Sequence, residues 1–106
     1  MKILKAAIAV AFLSGIAVAY AAEQTITQKG KLFSATEVSI KKGDVLNFLN
    51  DDNIVHNVMS TSAGNEFNVG AAKPGVSTPV TFKAAGNVQV ICAIHPSMKM
   101  AVKVAD

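Results

Sequence analysis

The chain has 106 residues, 51% of them apolar, with 10 lysines, no arginine and 7 acids, a formal charge of +3. This length holds one small domain with a single core. The charge sits unevenly: Lys2 and Lys5 precede an apolar run from Ile8 to Val18 and the small-residue signal Ala19-Tyr20-Ala21. Together these read as a secretory leader, residues 1–21, cleaved after Ala21. An uncleaved membrane anchor is the competing reading, yet an apolar run of about a dozen to 18 residues is short against the roughly 20 a bilayer span needs. Without the leader the charge falls to about +1, so the basicity gives no support to nucleic-acid binding. Residues 22–106 are then one exported domain whose aromatics are Phe33, Phe48, Phe67 and Phe82.

Along that domain, residues 25–28 and 36–40 read as the first two strands. Lys41-Lys42-Gly43-Asp44 is a turn, and residues 45–50 form a strand partly apolar on both faces. Asp51-Asp52-Asn53 breaks it, and extended structure resumes over residues 54–60. A loop over 60–65, a short strand over 66–69 and a Gly- and Pro-containing connection over 70–77 follow. Pro79 stands at the start of a strand over 80–83, where a missing N–H is tolerated. Beyond the turn Ala85-Gly86-Asn87, residues 87–92 alternate, with Val88, Val90 and Cys92 on one face. Residues 99–105 close the chain with Met100, Val102 and Val104 on one face and Ala101 and Lys103 on the other. Nothing after the leader has a helical period, so the domain reads as all-β, a sandwich or barrel of short strands.

The only cysteine, Cys92, stands in Cys92-Ala93-Ile94-His95-Pro96-Ser97-Met98, with one of the two histidines; the other lies in Ile54-Val55-His56-Asn57-Val58. Each residue alone has an ordinary explanation: a small core hydrophobe, a hydrogen-bonded imidazole, a packing thioether. An odd cysteine in an exported domain is buried and inert, pairs between molecules, or is coordinated. The spacing favours coordination. A strand ends at Cys92, His95 and Met98 follow at intervals of three, and Pro96 restricts His95 to extended backbone. Two imidazoles, a thiolate and a weak thioether are the donors of a blue-copper site. Zinc takes Cys and His but has little use for Met, and iron–sulfur clusters need more thiolates. Met59, three residues beyond His56, falls on the opposite strand face and reads as core packing.

Through Val55-His56-Asn57-Val58, the strand Val88 to Cys92 and the pattern Cys92-x-x-His95-x-x-Met98, the chain resembles a cupredoxin of the plastocyanin, amicyanin and pseudoazurin group. The resemblance covers most of residues 24–105. The loop is closest to amicyanin, and the wider run is similar to small plastocyanin-like proteins of methylamine utilisation. The resemblance implies a Greek-key β-sandwich or barrel of about seven to eight short strands. It implies one type 1 copper ion with His56, Cys92 and His95 as equatorial ligands. Met98 is the axial ligand in the amicyanin-like register, and Met100 is the alternative in the longer plastocyanin-like loop. Asn57 matches the family's asparagine that joins the two ligand-bearing segments and orders a hydrogen bond near the cysteine sulfur. Ile94 departs from the family, in which many members have proline before the second histidine. Isoleucine has an N–H that proline lacks, which predicts a second N–H···S contact to Cys92 and a raised reduction potential.

The function implied is one-electron transfer in the periplasm by a monomeric protein that is not an enzyme, because four protein ligands leave no open position at the metal. Partners would be redox proteins, such as a cytochrome or an amine dehydrogenase, docking near His95, Pro96 and Ala93. Two rivals stay open at this point: a periplasmic copper carrier using the same ligands, and a metal-free β-sandwich module in which Cys92 is an ordinary free thiol. The remaining lysines are scattered and mark no charged patch.

Overall fold

The computed structural model describes residues 21–106; the leader expected over residues 1–21 lies outside the described residues but for Ala21. The described residues form nine strands and no helix: β1 (Glu23–Lys29), β2 (Leu32–Phe33), β3 (Glu37–Lys41), β4 (Val45–Asn50), β5 (His56–Ser60), β6 (Phe67–Ala72), β7 (Ser77–Thr81), β8 (Gly86–Cys92) and β9 (His95–Ala105). They make two sheets, ordered β2-β1-β4-β7 and β3-β9-β8-β5-β6. The pairs β1/β4 and β3/β9 are parallel, and the others are antiparallel. The chain changes sheet at most of its connections, so the two layers are laced into one β-sandwich.

Period-two patterning accounts for the core. β8 turns Val88, Val90 and Cys92 inward, and β9 turns Met98, Met100, Val102 and Val104 inward. The facing sheet contributes Ile26, Leu46, Phe48 and Val80, and Phe82 fills the centre just beyond β7. Two edge-to-face aromatic pairs add to the core: Phe33 with Phe48 at 6.0 Å within one sheet, and Phe67 of β6 with Phe82 at 5.8 Å between the layers.

Several elements differ from expectation: β6 runs on to Ala72 into the expected connection, and four others differ for a local reason. β2 follows a tight reversal in which Gly30 and Lys31 both adopt positive φ, 62° and 60°. Gly-Lys is not a usual pair for such a turn, so the hairpin left little trace in the sequence. β5 starts at His56 rather than Ile54, because the buried Asn50 amide captures the Ile54 carbonyl and the Asp52 N–H and curls residues 51–55 into a bend. β7 spans 77–81 and sits at a sheet edge, which is where Pro79 can be accommodated inside a strand. β9 begins at His95, four residues earlier than the alternation suggests, because Cys92 pairs with His95 around the two-residue turn Ala93-Ile94.

Phe82 has no exposed surface and packs edge-on against Phe67. Phe82→Ala should therefore destabilise the metal-free protein by about 3–5 kcal/mol in urea unfolding. A cost below about 1 kcal/mol would contradict its place in the core.

Candidate metal centre

Three adjacent strands of one sheet bring the expected donors to one end of the sandwich. Cys92 ends β8, His95 starts β9 and His56 starts β5, with β8 lying between the other two. A register irregularity shapes the junction. Ile91 pairs with Lys99 but Cys92 pairs with His95, so one step on β8 faces Pro96-Ser97-Met98 on β9. This bulge lets His95 and Met98 both border Cys92. Met98 is fully buried beside that step, whereas Met100 pairs with Val90, further along the strand.

The Cys92 sulfur and one ring nitrogen from each histidine all lie within 4.8 Å of one another. Cys92 Sγ is 3.7 Å from His95 Nδ1. Two donors held at roughly 2.0–2.3 Å from a shared ion stand roughly 3.5–4 Å apart, so the spacing fits a metal. The imidazoles meet edge-to-face, with centroids 5.1 Å apart and planes at 64°. Cys92 and His56 have no exposed surface, while His95 is half-buried. His56 Nδ1 is buried without a hydrogen-bond partner. Such an orphan costs about 1–3 kcal/mol, a cost that coordination removes.

Asp52, read from the sequence only as a strand breaker, holds the other side of that ring. Its Oδ2 lies 3.0 Å from His56 Nε2. This bond and the N–H groups of Asn53 and Gly30 lower the Asp52 carboxyl from 3.8 to about 2. A carboxylate only accepts, so Nε2 donates in this bond and Nδ1 is the ring nitrogen left to face the centre. The one signal in the sequence is an acid four residues before the histidine, too common a spacing to stand out.

Asn57 occupies the junction expected of it. Its N–H donates to Cys92 Sγ at 3.3 Å, and its Oδ1 accepts from the Ala93 N–H at 3.0 Å. Its Nδ2 donates to Asn68 Oδ1 and the Gly70 carbonyl, both at 2.9 Å. Its own carbonyl accepts from Gln28 Nε2 at 3.2 Å, a contact the sequence did not suggest.

The expected contact from Ile94 is not formed. Among the described residues, the one backbone N–H on the sulfur is that of Asn57. Ile94 sits in the two-residue turn and is 51% exposed, and the raised potential inferred from its N–H loses its basis. Met59 is also not core: it is half-buried on the outer face of β5, pairing with Asn68 and Ile91.

A family model described as copper binding proteins, plastocyanin/azurin family, matches residues 20–105. The chain belongs to that family. Among solved structures, this cupredoxin is similar to a purple cupredoxin from Nitrosopumilus maritimus, at 22% identity and TM-score 0.68, over 76% of this chain and 98% of that one. It is similar to a reduced amicyanin variant, at 24% identity and TM-score 0.72, over 82% and 85% of the two chains. It also matches a copper-containing nitrite reductase from Thermus scotoductus SA-01, at 22% identity and TM-score 0.73, but there it covers 23% of that longer chain against 85% of its own. At these identities the likeness establishes the fold. No curated protein matches the chain. The family and the convergent donors give copper as the cofactor, with His56, Cys92, His95 and Met98 placed to form a type 1 site.

Asn57→Ala removes three side-chain hydrogen bonds at this junction while keeping the backbone N–H on sulfur. It should destabilise the metal-free protein by about 2–3 kcal/mol in denaturant titration. It should also weaken copper binding by about 10–100-fold in a competition with a chelator.

Proposed function

We propose that this cupredoxin is a small exported electron carrier that passes one electron at a time through a type 1 copper centre. In this reading His56, Cys92, His95 and Met98 would hold the copper ion. The observation that carries it is the buried Cys92 sulfur grouped with two imidazole nitrogens, one of them, on His56, fully buried and otherwise unpartnered. Thiolate and thioether suit Cu(I), and imidazole serves both oxidation states, so bound copper supplies a one-electron couple. The residues of the chain do the rest. Strand pairing and Asn57 hold the donors in place, which keeps rearrangement small as charge changes. Burial of Cys92 and Met98 keeps water from the sulfur side. Four protein donors leave no position for a substrate, which supports a carrier over an enzyme.

The half-buried His95 ring offers the short route to the surface, between exposed Ala93, Ile94 and Pro96. That apolar surface suits transient docking of a donor or acceptor redox protein, with a cytochrome or an amine dehydrogenase as the family-level choice. Residues 1–21 would deliver the chain to the periplasm, where it acts as a monomer. No helix among the described residues is long and apolar enough to cross a membrane.

Addition of Cu(II) to the exported protein should give an intense blue thiolate-to-copper band and a narrow copper hyperfine splitting in EPR. Cys92→Ala should abolish both. Met98→Leu should shift the reduction potential, since it removes the thioether that would face the ion, while Met100→Leu leaves it in place. A colourless or ordinary Cu(II) spectrum would mean that the donors do not converge on the ion. A blue protein that readily gives up Cu(I) to a chelator would instead be a copper carrier.

A further inference from the structure

We propose that Asp52 is a positioning residue for the copper centre: acting through His56, it fixes which ring nitrogen faces Cys92 and holds the reduction potential down. This rests on the reading of His56, Cys92 and His95 as copper ligands.

The carboxylate is itself fastened from several sides. Oδ2 accepts the Gly30 N–H at 2.9 Å as well as facing His56 Nε2 at 3.0 Å, and Oδ1 accepts the Asn53 N–H at 2.9 Å. The Asp52 N–H donates to Asn50 Oδ1 at 3.0 Å. Asn50 is fully buried, and its Nδ2 donates to the Ile54 and Ala72 carbonyls at 2.8 and 2.9 Å. Gly30 is presented by the left-handed turn between β1 and β2, in the sheet that does not carry His56. The side chain of Asp52 keeps only 15% of its surface exposed, so it has little freedom to leave the ring.

Two consequences share one sign. A carboxylate accepting from Nε2–H makes the imidazole a stronger donor at Nδ1, which favours the higher oxidation state. A negative charge one ring away from the metal stabilises the more positive ion by Coulomb attraction. Both lower the reduction potential relative to a neutral partner. Asp52→Asn keeps an oxygen able to accept from Nε2–H but removes the charge, so it separates electronic tuning from the mere presence of a hydrogen bond. Asp51, adjacent and exposed, is the control for a general loss of one negative charge.

The test is voltammetry at neutral pH on copper-loaded wild type, Asp52→Asn and Asp51→Asn, together with nitrogen NMR of the His56 ring in the metal-free wild type. Asp52→Asn should raise the potential while keeping the blue band and lowering copper affinity about 10–100-fold, and Asp51→Asn should leave the potential in place. The metal-free wild type should show His56 protonated on Nε2. An unchanged potential in a blue Asp52→Asn protein, or an equal rise in Asp51→Asn, overturns the role of Asp52. So does a wild-type ring protonated on Nδ1 alone, a result that needs no variant to fold. A wild type that never turns blue overturns the copper reading instead, and the ring tautomer still reports on Asp52.

Discussion

A single sulfur atom, fully enclosed at the end of β8, is the constraint around which this end of the molecule is organised. A thiolate is a costly group to take out of water unless its charge is met by donors or a metal. Here the Asn57 N–H points at it, two imidazoles stand beside it, and the Met98 side chain is packed along the same strand junction. The arrangement requires β5, β8 and β9 to be neighbours, and it requires the interruption of the β8–β9 ladder that brings His95 opposite Cys92. The remainder of the sandwich serves to make that meeting rigid.

The interior is divided accordingly. Away from the centre, the core is apolar, built of Val, Ile, Leu, Met and Phe. Around it lie buried polar side chains that tie the two sheets together. Gln28, in the β1 sheet, donates to the Asn57 carbonyl in the opposite sheet, and Asn50, in β4, donates to the Ala72 carbonyl of β6. Because buried amides keep their stability only when paired, these ties specify one alignment of the layers rather than adding generic cohesion. Gln28 Oε1 is buried without a protein partner, an acceptor suited to one internal water. These ties hold the donors in one arrangement, which suits the one-electron role proposed for the site.

The two histidines divide the work. His56 is enclosed and braced by Asp52, so its position and tautomer are decided by the interior. His95 is half-buried at the start of β9, beside the exposed turn Ala93-Ile94, so its ring lies between the Cys92 sulfur and solvent. One imidazole is thereby held by the interior and the other is open to contact from outside, which suits the different roles proposed for them.

What the sequence determined by itself was whatever is local or rests on residue type. Period-two alternation marked β8 and the greater part of β9 with their inward faces, since the pleat imposes that period on any half-buried strand. One Cys, two His and the 92–95–98 spacing named the metal donors, since softness and donor type are properties of side chains. Asn57 was identified through the resemblance to the cupredoxins, not from its residue type or spacing. The tertiary structure decided what depends on distant segments meeting. It placed Met98 within the register shift between Ile91 and Cys92 and Met100 opposite Val90, a break that no pattern within β9 records. It turned Ile94 into an exposed turn residue with no hydrogen bond to the sulfur. It also made Asp52 the brace of His56, four residues on, because the Gly30 N–H of the β1–β2 turn, 22 residues away, fixes the carboxylate there. Hydrogen bonds between segments twenty or more residues apart leave no periodic trace, because each needs only one suitable atom at one place in space.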